Sequence, residues 1–267
     1  MMAGVDQPRP KPRNRSPEAT AGELPFDPLA GVAHVSAKDA RLAKLIERVG
    51  PMRLRLAHLQ SPFEALAESI VYQQLSGYAA AAIFARLVAL FSPDAPPSGL
   101  RPSRAKPAPP PRKFPRPGDL LAMPEDRLRA AGLSRGKIAA LRDLATKTID
   151  GTVPQMLELR KLSDDEIVER LSAVRGIGRW TAEMLLIFRL GRPDVLPATD
   201  YGVRKGFAKV YRRKELPAPK ELLAAGEKWR PYRTVASWYF WRALEKRADV
   251  SKTPSTKTFR QRSVNVR

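Results

Sequence analysis

The chain has no cysteine and only two histidines, His34 and His58, in 267 residues. The first absence excludes disulfides, thiolate-held iron–sulfur clusters, cysteine-ligated zinc and a cysteine nucleophile. The second leaves too little for a histidine triad or a multi-histidine metal site. Carboxylates must therefore be considered first as catalytic groups. Long apolar runs are also missing. No stretch approaches the roughly 20 residues of a membrane span, and the N-terminal residues, with Pro8, Pro10, Pro12, Arg9, Arg13 and Arg15, lack the apolar core of a secretory signal. A soluble cytoplasmic protein with no membrane contact is expected. Acidic residues are scarce too, 27 against 48 basic ones, for a formal charge of +21.

That imbalance points to a polyanionic partner, because lysine and arginine gain affinity for phosphates through counterion release. Its distribution is uneven. The segments up to Gly22, from Ser92 to Gly118 and from Ser251 onwards carry +2, +5 and +5, so more than half of the +21 lies in them. They either grip a polyanion or merely keep loose chain solvated. Ser92 to Gly118 holds ten of the 26 prolines, which interrupt helix and strand ladders alike. It reads as an extended insertion (92–118) inside a domain, since helical patterns resume on both sides. The organisation expected is a basic tail (1–23), N-terminal helices (24–70) that join the C-terminal lobe, a central helical lobe (71–199), C-terminal helices (200–250) and a second basic tail (251–267).

At 43% hydrophobic residues the chain can bury a sizeable core. Alternating strand patterns are nearly absent, and the apolar period is helical. Ala37 to Val49 reads as one helix with Leu42, Leu45 and Ile46 on a face; helical patterns run from Pro62 to Phe91 and from Ser134 to Ile149. Ser163 and Glu166 form a capping-box pattern ahead of Ile167, Leu171 and Val174. An all-α fold of about a dozen short helices is expected.

The segment Leu171-Ser-Ala-Val-Arg-Gly-Ile-Gly-Arg-Trp-Thr-Ala182 carries the most information. One amphipathic helix enters Gly176-Ile177-Gly178, and a second starts near Arg179 and stops at Gly191. Two glycines around one apolar residue suit a tight hairpin, and the first N–H groups of the second helix can bind a phosphate without reading base identity. A plain helix–glycine–helix turn would look the same. Downstream, Leu196-Pro-Ala-Thr-Asp200 leads into another helix. The intervening helix of about twelve residues is roughly 18 Å long, so the loop can return Asp200 towards a strand gripped by the hairpin. Asp200 also fits an N-cap, and the two roles are compatible.

Four blocks in this order resemble the helix-hairpin-helix DNA glycosylase superfamily, in its 3-methyladenine DNA glycosylase II branch. They are Pro62-Phe63 through Tyr72-Gln73-Gln74-Leu75-Ser76, Ala131-Gly-Leu-Ser-Arg-Gly-Lys137, the hairpin through Asp200, and Trp229-Arg-Pro-Tyr-Arg233 through Trp241. The resemblance spans about Pro25 to Leu244. It implies two helical lobes with a DNA-binding cleft between them, and a monomeric, nucleoid-associated bacterial enzyme of base excision repair that acts on double-stranded DNA and needs no cofactor. Flipped alkylated purines, 3-methyladenine and 7-methylguanine, would be the substrates.

The resemblance makes Asp200 the catalytic carboxylate and puts Trp180 and Trp241, with Met184 and Tyr72, around the base. Trp229 and Trp238 read as core. DNA contacts fall on Gly176, Ile177, Gly178, Arg179 and Thr181 of the hairpin, and on Gln73, Gln74, Leu75 and Ser76, where the family inserts a side chain into the duplex. An ordinary helix end fits those last four equally. Arg204 and Lys205 fit either phosphate contacts or a solvated face. Hairpin carbonyls, Val174 and Gly176 among them, could hold a monovalent cation. Family members that also cut the strand have a lysine where this chain has Trp180, so hydrolysis without strand cleavage is implied. A noncatalytic DNA-binding module, or a glycosylase for deaminated or oxidised bases, are the competing readings.

Overall fold

The structure, a computed structural model, describes residues 23–57, 61–91 and 114–245. Most of the basic tails, residues 92–113 of the insertion, and His58 lie outside the described residues. Every regular element among the described residues is helical. In chain order they are α1 (Pro28–Lys38), α2 (Ala40–Val49), α3 (Pro62–Tyr72), α4 (Gly77–Ala89), α5 (Pro117–Ala122), α6 (Glu125–Ala130) and α7 (Arg135–Ile149), then α8 (Met156–Leu159), α9 (Asp164–Ser172), α10 (Arg179–Leu185), α11 (Tyr201–Val210), α12 (Pro219–Gly226) and α13 (Arg233–Ala243). A π-helical turn, Leu186–Leu190, extends α10, and a 3₁₀ turn, Glu227–Trp229, follows α12.

Two apolar patterns that read as continuous are interrupted. The one over Ala37–Val49 breaks at Asp39, which is extended and accepts hydrogen bonds from the Arg41 and Leu42 N–H groups, so it caps α2 instead of continuing α1. Local hydrogen bonding to a short carboxylate wins over the apolar period there. The pattern over Pro62–Phe91 breaks between α3 and α4, where Gln74 adopts the left-handed region at φ +57°. At the end of the insertion, Phe114 stacks on Phe84 and meets Phe63 edge-on, and α5 begins at Pro117.

The helices pack as two groups. In the first, α1, α2, α11 and α13 surround Leu42, Phe207, Trp229, Val235 and Phe240, and α12 closes one side through the 3₁₀ turn. In the second, α7 is the centre, with α3, α5 and α6 against it, α4 on α3, and α9 paired with α10. Helix α3 packs with this central group although its residues 62–70 fall before the expected boundary at 70. The first group joins distant parts of the chain through Asp39. Its carboxylate, 5% exposed, accepts hydrogen bonds from the Trp229 indole at 3.0 Å and from the Tyr211 hydroxyl, and forms an ion pair with Lys228 at 2.8 Å. Trp229 is fully buried and Trp238 nearly so, both in the core as expected.

Candidate active site

Asp200 lies where the two groups of helices meet. It caps α11: its backbone is extended and Oδ1 accepts the Val203 N–H at 2.7 Å. The same oxygen accepts the Trp241 indole N–H at 2.8 Å, and Oδ2 accepts the Trp180 indole N–H at 2.8 Å. Trp180 comes from α10 in the central group and Trp241 from α13 in the other. The carboxylate is thus aimed by one donor from each lobe plus its own helix. Phe188, from the π turn, sits 5.5 Å from the Trp241 ring and extends the aromatic wall. Met184 and Tyr72 are half-buried, and Tyr72 meets Phe84 edge-on at 6.3 Å.

The loop that delivers Asp200 is pinned by the start of α13. Arg233 holds the Asp194 carboxylate at 2.7 and 3.1 Å, and Arg230 adds a bond at 2.6 Å. Thr234 and Ser237, both fully buried, bond the backbone of Arg192 and Val195. Arg233 and Trp241 lie on one helix about 12 Å apart along its axis, so α13 fixes both the loop and the indole that receives its aspartate.

The hairpin has the backbone its glycines permit. Gly176 is left-handed at φ +80°, Ile177 is buried, and Gly178 is the extended N-cap of α10. The Thr181 and Ala182 N–H groups close the first turn onto the Gly178 carbonyl, leaving the start of α10 facing outwards beside exposed Gly178 and Arg179. The Arg179 guanidinium turns along the helix to Glu183 at 3.0 Å and lies 3.7 Å from Asp165. Glu183 is 4% exposed; burial pushes its carboxyl up to about 7, against the pull of Arg179 and with a small push from the Asp200 charge.

The hairpin carbonyls considered for a cation are both engaged. Val174 accepts the Ile177 N–H at 3.0 Å, and Gly176 accepts the Gln73 side-chain amide at 2.7 Å. Each carbonyl oxygen thus accepts one hydrogen bond and keeps a second lone pair. Arg204 donates to the Pro217 carbonyl at 2.8 Å, whereas Lys205 is exposed with its amine over the Tyr201 ring. Gln74 and Ser76 are exposed in the α3–α4 turn, and Leu75 is half-buried.

The reading from residues missed Phe188, Glu183 and Gly202. A Cβ on Gly202 would lie 2.8 Å from Trp241 Cδ1 and 3.0 Å from Asp200 Oδ1. Gly202 and Gly206 stand four apart in a helical pattern, an arrangement that disfavours a helix unless something approaches closely, and that was the available signal. Phe188 and Glu183 gave none: Phe188 fits a helix burying its apolar face, and a glutamate on an amphipathic helix reads as a solvated position although Glu183 is buried.

Residues 67–231 match the family described as HhH-GPD superfamily base excision DNA repair protein. DNA-3-methyladenine glycosylase 1 of Schizosaccharomyces pombe is 36% identical over 220 residues, covering 82% of this chain and 88% of that protein. The solved structure of the S. pombe 3-methyladenine DNA glycosylase in complex with abasic DNA superposes with a TM-score of 0.65 at 34% identity, over 81% of this chain and all of the other. A DNA-3-methyladenine glycosidase from Bacillus halodurans gives 0.66 at 33% identity, over 85% and 94%. With the hairpin, the capping aspartate and the two-lobed helical fold in place, the chain belongs to the HhH-GPD superfamily of base excision DNA repair proteins.

Proposed function

We propose that the protein is a monofunctional, monomeric DNA glycosylase that hydrolyses the N-glycosidic bond of alkylated purines, 3-methyladenine and 7-methylguanine, flipped out of double-stranded DNA. The observation that carries this reading is the Asp200 carboxylate held by two indole N–H groups from opposite lobes. The names of its relatives, DNA-3-methyladenine glycosylases, support the substrate class.

The chemistry follows from charge. An alkylated purine already carries a positive charge, so the C1′–N bond can break with its electron pair leaving on a base that departs neutral. The positive charge passes to the deoxyribose, and a fixed carboxylate stabilises it without reorganising. Asp200 Oδ1 accepts two hydrogen bonds and Oδ2 accepts one, so Oδ2 keeps the freer lone pair for water. Water adds at C1′ and gives up its proton to solvent, leaving an abasic site and a neutral free purine. Trp180, Trp241 and Phe188 offer electron-rich faces to a cationic base before it leaves. The hairpin and the α10 N-terminus grip a backbone phosphate, and the α3–α4 turn enters the space the base vacates.

Strand cleavage through a Schiff base needs a free amine at the sugar, and an indole stands at position 180. Release assays on methylated duplex DNA test this reading. Wild type should free 3-methyladenine and 7-methylguanine and leave the strand intact until alkali is added. Asp200→Asn, which turns one acceptor oxygen into a donor facing an indole N–H, should lose at least about a hundredfold in rate. An unimpaired Asp200→Asn variant would overturn the role of Asp200, and a borohydride-trapped complex would overturn hydrolysis without lyase chemistry.

A further inference from the structure

The turn at Gln74 and the hairpin are far apart in sequence, yet they are bonded to each other and to one helix. The Gln73 side chain donates to the Gly176 carbonyl at 2.7 Å. The Lys137 amine, on the first turn of α7, donates to the Val71 and Gln73 carbonyls at 2.7 and 2.9 Å. These carbonyls lie at the C-terminal end of α3, where intrahelical donors run out and a cation is favoured by the helix dipole. Further along α7, Asp143 accepts the Arg175 N–H at 2.7 Å, and Lys147 bonds both Asp143 and the Ala173 carbonyl at 2.6 Å. One helix therefore holds the segment that leads to Gln74 and the segment that leads into Gly176.

That common mounting matters because the turn is poorly determined by itself. Gln74 is exposed and left-handed without being glycine, a conformation that costs free energy and persists only where neighbours impose it. A probe entering a duplex must stand at a fixed distance from the phosphate grip, since both engage one piece of DNA. We propose that Lys137 is a positioning residue for duplex entry: by clamping the carbonyls that precede Gln74, and with Gln73 tying them to Gly176, it makes the duplex probe and the phosphate grip one rigid unit. The proposal rests on the reading of the α3–α4 turn as the inserted element. A lysine that only closes a helix end would support the fold and nothing more.

The test compares 7-methylguanine paired with cytosine against 7-methylguanine opposite a tetrahydrofuran abasic analogue, where no base pair has to be broken. Single-turnover rates are measured for wild type, Lys137→Met, Lys137→Gln and Lys137→Arg, with circular dichroism melts on each. Lys137→Met should slow excision from the paired duplex at least tenfold and from the unpaired lesion about twofold or less. Lys137→Arg, which keeps charge and donors, should recover most of the paired rate. Lys137→Gln, whose shorter side chain loses the charge and cannot span both carbonyls, should show the same selective loss, giving a second reading if Lys137→Met melts at assay temperature. Equal losses on both substrates, or none on either, would overturn the positioning role while leaving the glycosylase reading intact. A wild type that releases no base would instead remove the glycosylase reading, and this proposal with it.

Discussion

Asp200 is oriented by neighbours that leave no room for a methyl group. The Cβ of an alanine at 202 would press on Trp241 Cδ1 at 2.8 Å and on Asp200 Oδ1 at 3.0 Å, so either the indole or the carboxylate must turn away. Helix propensity alone favours alanine over glycine by about 0.5–1 kcal/mol. The two effects act on different measurements, which makes the substitution informative. Gly202→Ala should change folding stability by no more than about 1 kcal/mol, while base release falls roughly a hundredfold, the scale expected when a reacting group is displaced by about 1 Å. Equilibrium urea melts and single-turnover excision rates check the pair of outcomes; a fully active variant would mean that the indole contact is not needed for catalysis.

Among the elements, α11 and α13 carry Asp200 and Trp241 and touch backbone to backbone. A Cβ on Gly206 would fall 2.1 Å from the Phe240 carbonyl oxygen. No side-chain rotation relieves that clash, because the obstacle is main chain. Gly206→Ala should therefore force the helices apart, costing about 2–3 kcal/mol and separating the Asp200 cap on one helix from Trp241 on the other. Loss in a thermal melt together with loss of activity is expected, in contrast to Gly202→Ala. The π turn has its own part in this geometry: it carries Phe188 to the Trp241 ring, and its Phe188 carbonyl accepts the Ala57 N–H at 2.8 Å, tying the segment before α3 to the site.

For the whole molecule, closure of the first lobe depends on Asp39, which joins α2 to the 3₁₀ turn before α13 and to the end of α11. Burial opposes its charge, but bonds from Lys228, Tyr211, the Leu42 N–H and Trp229 outweigh that penalty and hold the carboxyl below the usual aspartate range. A carboxyl depressed in the folded state contributes stability that is present above its unfolded pKa, about 3.9, and is lost as pH falls through the folded value. Lys228 is partly exposed, so solvent screens its share. Asp39→Asn should thus cost about 2–3 kcal/mol at pH 7, and the gap between variant and wild type should narrow in urea melts taken below about pH 4. A gap that stays constant with pH would assign the cost to lost packing rather than to charge.

Periodicity and capping chemistry are local, and they are enough to dictate that this chain is helical, that Ser163 and Glu166 box the start of α9, that Asp200 caps α11 and that the glycines at 176 and 178 make a hairpin. Each of those outcomes depends on residues within a turn or two of one another. The tertiary structure decided what no local pattern contains: Trp180 and Trp241 converge on one carboxylate across 20 and 41 positions, Lys137 reaches Val71 across 66, and Arg233 reaches Asp194 across 39. A tryptophan at helical spacing looks the same whether it fills a core, like Trp238, or donates to a carboxylate, like Trp241, because the period records which side of a helix is covered and not what covers it. Composition and the Leu196-Pro-Ala-Thr-Asp200 loop already pointed to this carboxylate; only the packing of the two lobes brought an indole N–H from each side onto it.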